Sequence, residues 1–315
     1  MTRKSEASVK LKDVAKAAGV SQGTASNVFS RPEVVREEVR DHVKAVAKQL
    51  GYAGPSLTGR LLRAGKVNAI GVATAEPLSY FFDDPWARAM MAAISACCDA
   101  RGAGIALVSA RNRQRPAWNI QSALVDGFVL LCADDGELLI GLTQQRDLPF
   151  VALALDEGLP SVPAIAIDNR GGARLAAEHL LGLGHRHFGI LGIGDDPSTG
   201  LVGIAELRAS PYSTVRDRAD GYGSALEAAG IADNPAFFTD NNQPSVAAAM
   251  AMLFGSDQKP TALLAMSDRV ALFAIDWLQQ RGIRVPEDVS IVGFDGVPEG
   301  AESLPALTSV EQPMA

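Results

Sequence analysis

The chain has 315 residues, 47% of them hydrophobic, and a formal net charge of −7, which allows a small module plus a larger domain and argues against a disordered chain. The opening MTRKSEASVKLKD is charged, no stretch offers about 18 uninterrupted apolar residues, and Cys97, Cys98 and Cys132 lack paired spacing. The expectation is a cytoplasmic protein without secretion signal, membrane span, metal site or redox cysteine, its cysteines serving as small apolar fillers.

Residues 1–66 hold 13 Lys and Arg against 6 Asp and Glu, whereas residues 67–315 hold 16 against 30. A basic module on an acidic body suits a protein that docks one end on nucleic-acid phosphates, the alternative being a solvated basic tail. Within the module, Leu11, Val14, Ala15 and Ala18 fall at i, i+3, i+4 and i+7, which predicts a helix ended by Gly19. Ser21 predicts the N-cap of a second helix running through Ala25 and Val28 toward Phe29. A third amphipathic segment, 35–50, offers Val39, Val43, Val46 and Leu50 to cover them.

Two short helices joined by a glycine-containing turn form a helix-turn-helix, and the second enters the major groove by its N-terminal end. Ser21, Gln22, Gly23, Thr24, Ser26 and Asn27 are therefore the candidates for DNA contact, with Lys12 a sequence-independent phosphate contact. A three-helix packing unit without a ligand is the alternative reading.

Along the body, apolar runs at 69–73, 104–108, 127–132, 150–155, 188–193, 261–265 and 289–294 alternate with amphipathic stretches such as 86–101, 171–183, 215–229 and 269–281. This alternation predicts α/β architecture with parallel sheets covered on both faces, and the strand count suits two lobes with a ligand cleft at the strands' carboxyl ends. Ala75, Phe82 and Asp84 follow the first strand, where such a cleft opens, and Asp156 follows the fourth. Asp268 is expected to cap the helix from Arg269.

No GxGxxG, Walker, GxSxG or HExxH motif is present. His185 and His187 read as a solvated turn, and the adjacent pairs Asp83–Asp84 and Asp134–Asp135 point their side chains apart. No catalytic residue, cofactor or metal ligand is predicted.

The head, through LKDVAKAAGVSQGTASNVFS, VREEVRDHVKAVAKQLGY and GPSLTGRLLRAGK, resembles the lactose-repressor/galactose-repressor (LacI/GalR) family of transcription regulators. The resemblance continues through VDGFVLL, AIDNRGGARLAAEHLLGLGHRHFGIL, RADGY, ALLAMSD and VPEDVSIVGFDG to SVEQP. It implies a lambda-repressor-like helix-turn-helix at 1–54, a hinge at 55–66 and a periplasmic-binding-protein-like effector and dimerisation domain at 67–315. Residues 56–63 would fold into a hinge helix on DNA, with Leu62 as the wedge between base steps. Arg218, Ser267 and Asp295 match positions that the family directs at its ligand, a sugar first and a purine-like compound second.

The implied function is a sequence-specific regulator, commonly a repressor, whose affinity for a palindromic operator shifts when ligand binds; the sign of the shift stays open. A solute-binding protein and a sugar- or nucleotide-processing enzyme on the same fold are the alternatives. Lys10, Ala25, Asn27 and Gly59 depart from the family's commoner residues. Relatives usually run on through a further helix and a strand or two beyond SVEQPMA, some to a tetramerising heptad tail, so the expected assembly is a dimer, with a monomer as the alternative.

Overall fold

In the computed structural model, which describes residues 9–52, 54, 65–111, 116–131, 136–153, 162–194, 201–232 and 234–314, the chain divides into two units, residues 1–67 and 68–315. Residues 55–64 of the expected hinge, with Gly59 and Leu62, together with Cys132, Asp134, Asp135 and Asp156, lie outside the described residues.

The first unit contains α1 (Leu11–Ala17), α2 (Gln22–Ser30), a 3-10 turn (Pro32–Val34) and α3 (Glu37–Gln49). Gly19, at φ +63°, turns the chain between the first two helices, a conformation that glycine adopts without a Cβ penalty. Ser21 Oγ then accepts the Thr24 backbone N–H at 3.0 Å and caps α2. No side chain of Lys10 caps α1; the Asp13 carboxylate instead accepts the Lys10 N–H at 2.9 Å.

Val14, Ala15, Ala18, Ala25, Val28, Val43 and Ala47 form the core, with the Phe29 and Tyr52 rings meeting edge-on at 5.5 Å. The third helix is shorter than the expected 35–50, and Ala47 takes the core place assigned to Leu50. Leu50 is the C-cap, 38% exposed, because the helix has ended before its side chain can turn inward.

The second unit has two five-stranded parallel sheets. The first contains β1 (Ala69–Thr74), β2 (Gly104–Ser109), β3 (Gly127–Leu131), β4 (Phe150–Leu153) and β5 (Ala164–Ile165), in the order β2-β1-β3-β4-β5. The second contains β6 (Phe188–Ile193), β7 (Ala236–Thr239), β8 (Ala262–Ala265), β9 (Ser290–Asp295) and β10 (Thr308–Glu311), in the order β10-β9-β8-β6-β7. Taken in order of appearance within each lobe, the two sheets have the same topology.

Around the first sheet lie α4 (Tyr80–Asp83), α5 (Pro85–Asp99), α6 (Pro116–Ser122) and α7 (Gly136–Gln144). Around the second lie α8 (Asn169–Gly182), α9 (Ile204–Arg208), α10 (Ser213–Ala228), α11 (Gln243–Gly255), α12 (Asp268–Gln279) and α13 (Pro298–Glu302). Separate apolar clusters fill the two faces of each sheet, as parallel sheets require. No helix among the described residues is long and apolar enough to cross a membrane.

All seven apolar runs contain a strand. The elements without a sequence expectation are short or lack contrast. In α11, Val246, Ala249, Met250 and Leu253 are buried at helical spacing, yet the other face is also Ala and Met, so no polar stripe marks the period.

Two side-chain expectations need correction. Cys98 is buried but Cys97 is exposed, so only Cys98 acts as an apolar filler. His185 is half-buried rather than solvated: its ring nitrogens lie 2.9 Å from Thr261 Oγ1 and 3.0 Å from Ser290 Oγ, and burial lowers its pKa.

Candidate functional site

On the helical head, Lys12 is exposed on α1, and Ser21, Gln22 and Gly23 are exposed at the start of α2. Thr24, Ser26 and Asn27 are half-buried one turn further along. The Ser21 oxygen is engaged in capping and lies 2.9 Å from Thr24 Oγ1, whereas the amides of Gln22 and Asn27 keep a donor and an acceptor available for a base edge. Capping therefore aims the start of the helix, and the amides carry its reading capacity.

In the second unit, a cleft of about 350 Å³ opens where the carboxyl ends of the two sheets face each other. Arg218, on α10, is buried at its wall. Its Nε donates to Asn169 Oδ1 at 3.0 Å, a second nitrogen donates to the Met266 carbonyl, and the guanidinium stacks over the Phe294 ring at 3.7 Å. Asp295, ending β9, approaches the same guanidinium at 3.8 Å.

Gln312 Nε2 donates to Asp295 Oδ1 at 2.7 Å, while Gln312 Oε1 accepts from Trp86 Nε1 of the first lobe at 3.1 Å. Burial pushes the Asp295 carboxyl up to about 8 against the opposing pull of Arg218, and burial lowers the Arg218 pKa.

Asp84 also lines the cleft, but both its oxygens are occupied. Oδ1 caps α5 by accepting the Ala87 N–H at 3.0 Å; Oδ2 accepts from Asn241 at 3.0 Å and faces Arg269 at 3.5 Å, both in the second lobe. Ser267 lines the cleft too, with its hydroxyl accepting the Val270 N–H at 3.2 Å.

That geometry corrects the helix cap. Ser267 is the N-cap of α12, and Asp268, its first residue, instead accepts the Gly296 and Val297 N–H groups at 2.8 Å each and the Ser309 hydroxyl. Burial raises the Asp268 pKa against these hydrogen bonds.

Ala75 and Phe82 are not among the residues that line the cleft. Phe82 is 65% exposed; its neighbour Phe81 plugs the core, because α4 turns successive side chains to different faces. Asp84 is buried beside exposed Asp83, which keeps that pair apart as expected.

Trp86, Asn241, Arg269 and Gln312 also line the cleft and are not expected there from the sequence. Asn241 sits at φ +52° in the turn after β7, and the Asp-Asn-Asn run there was the available mark of a special turn. Arg269 and Gln312 gain meaning only from partners 185 and 226 positions away.

The cleft offers fixed donors, acceptors and aromatic walls suited to holding a polar small molecule. Among the described residues no group of three or more His, Cys, Asp or Glu could hold a metal ion.

Residues 10–54 match bacterial regulatory proteins of the lacI family, and residues 177–315 match the periplasmic binding protein-like domain. An HTH-type transcriptional regulator of Mycobacterium tuberculosis is 37% identical over 302 residues, which cover 93% of this chain and 84% of the regulator. A lac repressor dimer bound to operator and the anti-inducer ONPF is similar with a TM-score of 0.71 at 25% identity, over 98% of this chain and 88% of that one. The transcriptional regulator CelR in complex with cellobiose is similar at 0.66 and 27% identity, over 97% and 88%.

Proposed function

The chain belongs to the lacI family of bacterial regulatory proteins, and from that premise we propose that it is a cytoplasmic, dimeric repressor whose operator affinity is set by a small ligand in the interlobe cleft. In this reading residues 1–54 bind DNA, 55–66 link, and 67–315 sense ligand and dimerise. Lys12 contacts phosphate, while Ser21, Gln22, Gly23, Thr24, Ser26 and Asn27 form the reading surface.

The observation that carries the sensing half is the cleft itself, with Arg218 and Asp295 at its wall and both lobes contributing to its lining. A guanidinium presents a planar fork of donors, and the Asp295 carboxyl, raised to about 8, presents acceptors together with an O–H donor, a combination that grips vicinal hydroxyls. Ser267 contributes beside them, and Asp84 acts through the cap and interlobe contact. Ligand that favours one arrangement of the lobes shifts DNA affinity by its differential free energy for the two states. CelR's cellobiose complex supports a saccharide as the ligand class. The relatives are transcriptional regulators, and the reading includes no turnover.

The test is fluorescence anisotropy with a palindrome selected from random duplexes, with and without a saccharide panel. The expected result is salt-sensitive binding that one saccharide shifts by about 5- to 150-fold. Arg218→Lys, which keeps the charge and loses the fork, should bind DNA and lose that shift. Full-length protein without salt-sensitive affinity for any duplex would sink the proposal.

A further inference from the structure

The charges around the cleft are unevenly satisfied. Its two arginines are both engaged: Arg218 with Asn169, the Met266 carbonyl, Phe294 and Asp295, and Arg269 with Asp84 and, at 5.7 Å, the Phe273 ring. Three carboxylates are taken as well, Asp84 by Arg269 and Asn241, Asp217 by Arg170 at 3.7 Å, and Asp295 by Arg218 and Gln312.

Two further carboxylates line the same cavity with neither an ion pair nor a side-chain hydrogen bond among the described residues. Glu76 stands two residues beyond the end of β1 in the first lobe, and Asp240 directly follows β7 in the second. Aromatic side chains from both lobes, Trp86 and Tyr212, share the lining.

Given that this cleft is the effector site, as proposed above, we infer that its ligand is a polyhydroxyl compound bearing a protonated amine, of the amino-sugar class, held between Glu76 and Asp240. A phosphorylated or carboxylated sugar entering the cleft meets two uncompensated carboxylates, while each guanidinium already faces a carboxyl group, Arg218 that of Asp295 and Arg269 that of Asp84. Like charges brought together oppose binding, more strongly at half-buried Glu76 than at exposed Asp240, and such repulsion is a source of discrimination. An ammonium gains charge-assisted hydrogen bonds from the carboxylates and attraction from the aromatic faces. Because Glu76 and Asp240 belong to different lobes, an amine contacting both rewards the arrangement that brings them together, which makes charge recognition a source of the allosteric signal.

Isothermal titration calorimetry on the full-length protein tests this with glucose, glucosamine and glucose 6-phosphate, and with cellobiose beside the glucosamine disaccharide. The amine-bearing probe should bind about tenfold or more tightly than its neutral counterpart, with the phosphate ester weaker than both. The double variant Glu76→Gln, Asp240→Asn, with fold verified by circular dichroism, should erase the amine's advantage while still binding the neutral probe. A phosphate ester that binds best and loses affinity in Arg218→Lys would overturn the charge inference and leave the effector cleft standing. Equal affinity for amine and neutral probes, or an amine advantage that survives in the double variant, would also overturn it. Silence from every probe would count against a saccharide effector, and the inference falls with it.

Discussion

Asp295 occupies a costly position for a specific purpose. It sits at φ +139°, a backbone conformation that L residues rarely adopt, yet its side chain accepts from Gln312 and from the Asp268 N–H and faces Arg218. Its carboxyl, raised from 3.8 to about 8, holds a proton more tightly in the native protein than in the unfolded chain. The stabilisation this provides is complete below the unfolded value and is lost as pH rises toward the native one. Urea unfolding from about pH 5 to about pH 8 should therefore show a downward slope that Asp295→Asn flattens; parallel slopes would show that Arg218 offsets the burial and keeps the carboxylate charged.

The head makes a separate prediction. Asn27→Ala should change base preference at one operator position and cost about 1–3 kcal/mol there, whereas Lys12→Ala should weaken cognate and scrambled duplexes alike and lower the salt slope by about one. Anisotropy titrations on both duplexes at several salt concentrations distinguish these outcomes. Equal effects of the two substitutions would move the reading surface elsewhere.

Helices α8 and α10 show how an element positions the site. They pack closely because Gly221 has no side chain: a Cβ there would lie 2.3 Å from the Arg170 carbonyl oxygen and 2.7 Å from Ala173 Cβ. The obstacle is backbone, which a rotamer change cannot remove. Gly221→Ala should force the helices apart and cost about 1–3 kcal/mol in chemical denaturation. Since α10 also carries Arg218, within one turn of Gly221, ligand affinity should fall together with stability. Lost affinity with unchanged stability would place the effect in the site and not in the helix packing.

Across the second unit, three residues in the first turn of α5 and its cap contact the second lobe. Asp84 meets Asn241 and Arg269, Trp86 donates to Gln312, and Arg88 pairs with Glu299. Exposed ion pairs contribute little individually, but contacts that exist in only one lobe arrangement bias the equilibrium between arrangements. Asp84→Asn keeps an amide oxygen to cap α5 while losing the charge opposite Arg269. Combined with Arg88→Ala, it should raise the radius of gyration in small-angle scattering and weaken ligand binding. An unchanged scattering profile with unchanged affinity would show that the lobes are held by other contacts.

Arg218, Ser267 and Asp295 are marked only by resemblance to the family, whereas the helical head and the alternating strands and helices could be read from the chain itself. These features are local: a 3.6-residue period, a capping serine, a glycine at φ +63° or a buried apolar run is contained within about twenty neighbouring residues. The occupancy of the cleft could not be read in this way. That Phe81 rather than Phe82 is buried, that Ser267 caps α12 while Asp268 clamps the following loop, and that Trp86, Asn241, Arg269 and Gln312 bridge the lobes all depend on contacts between distant segments. Parallel sheets bring those segments together through strand pairing, and periodicity along a chain carries no record of which strand ends will face one another.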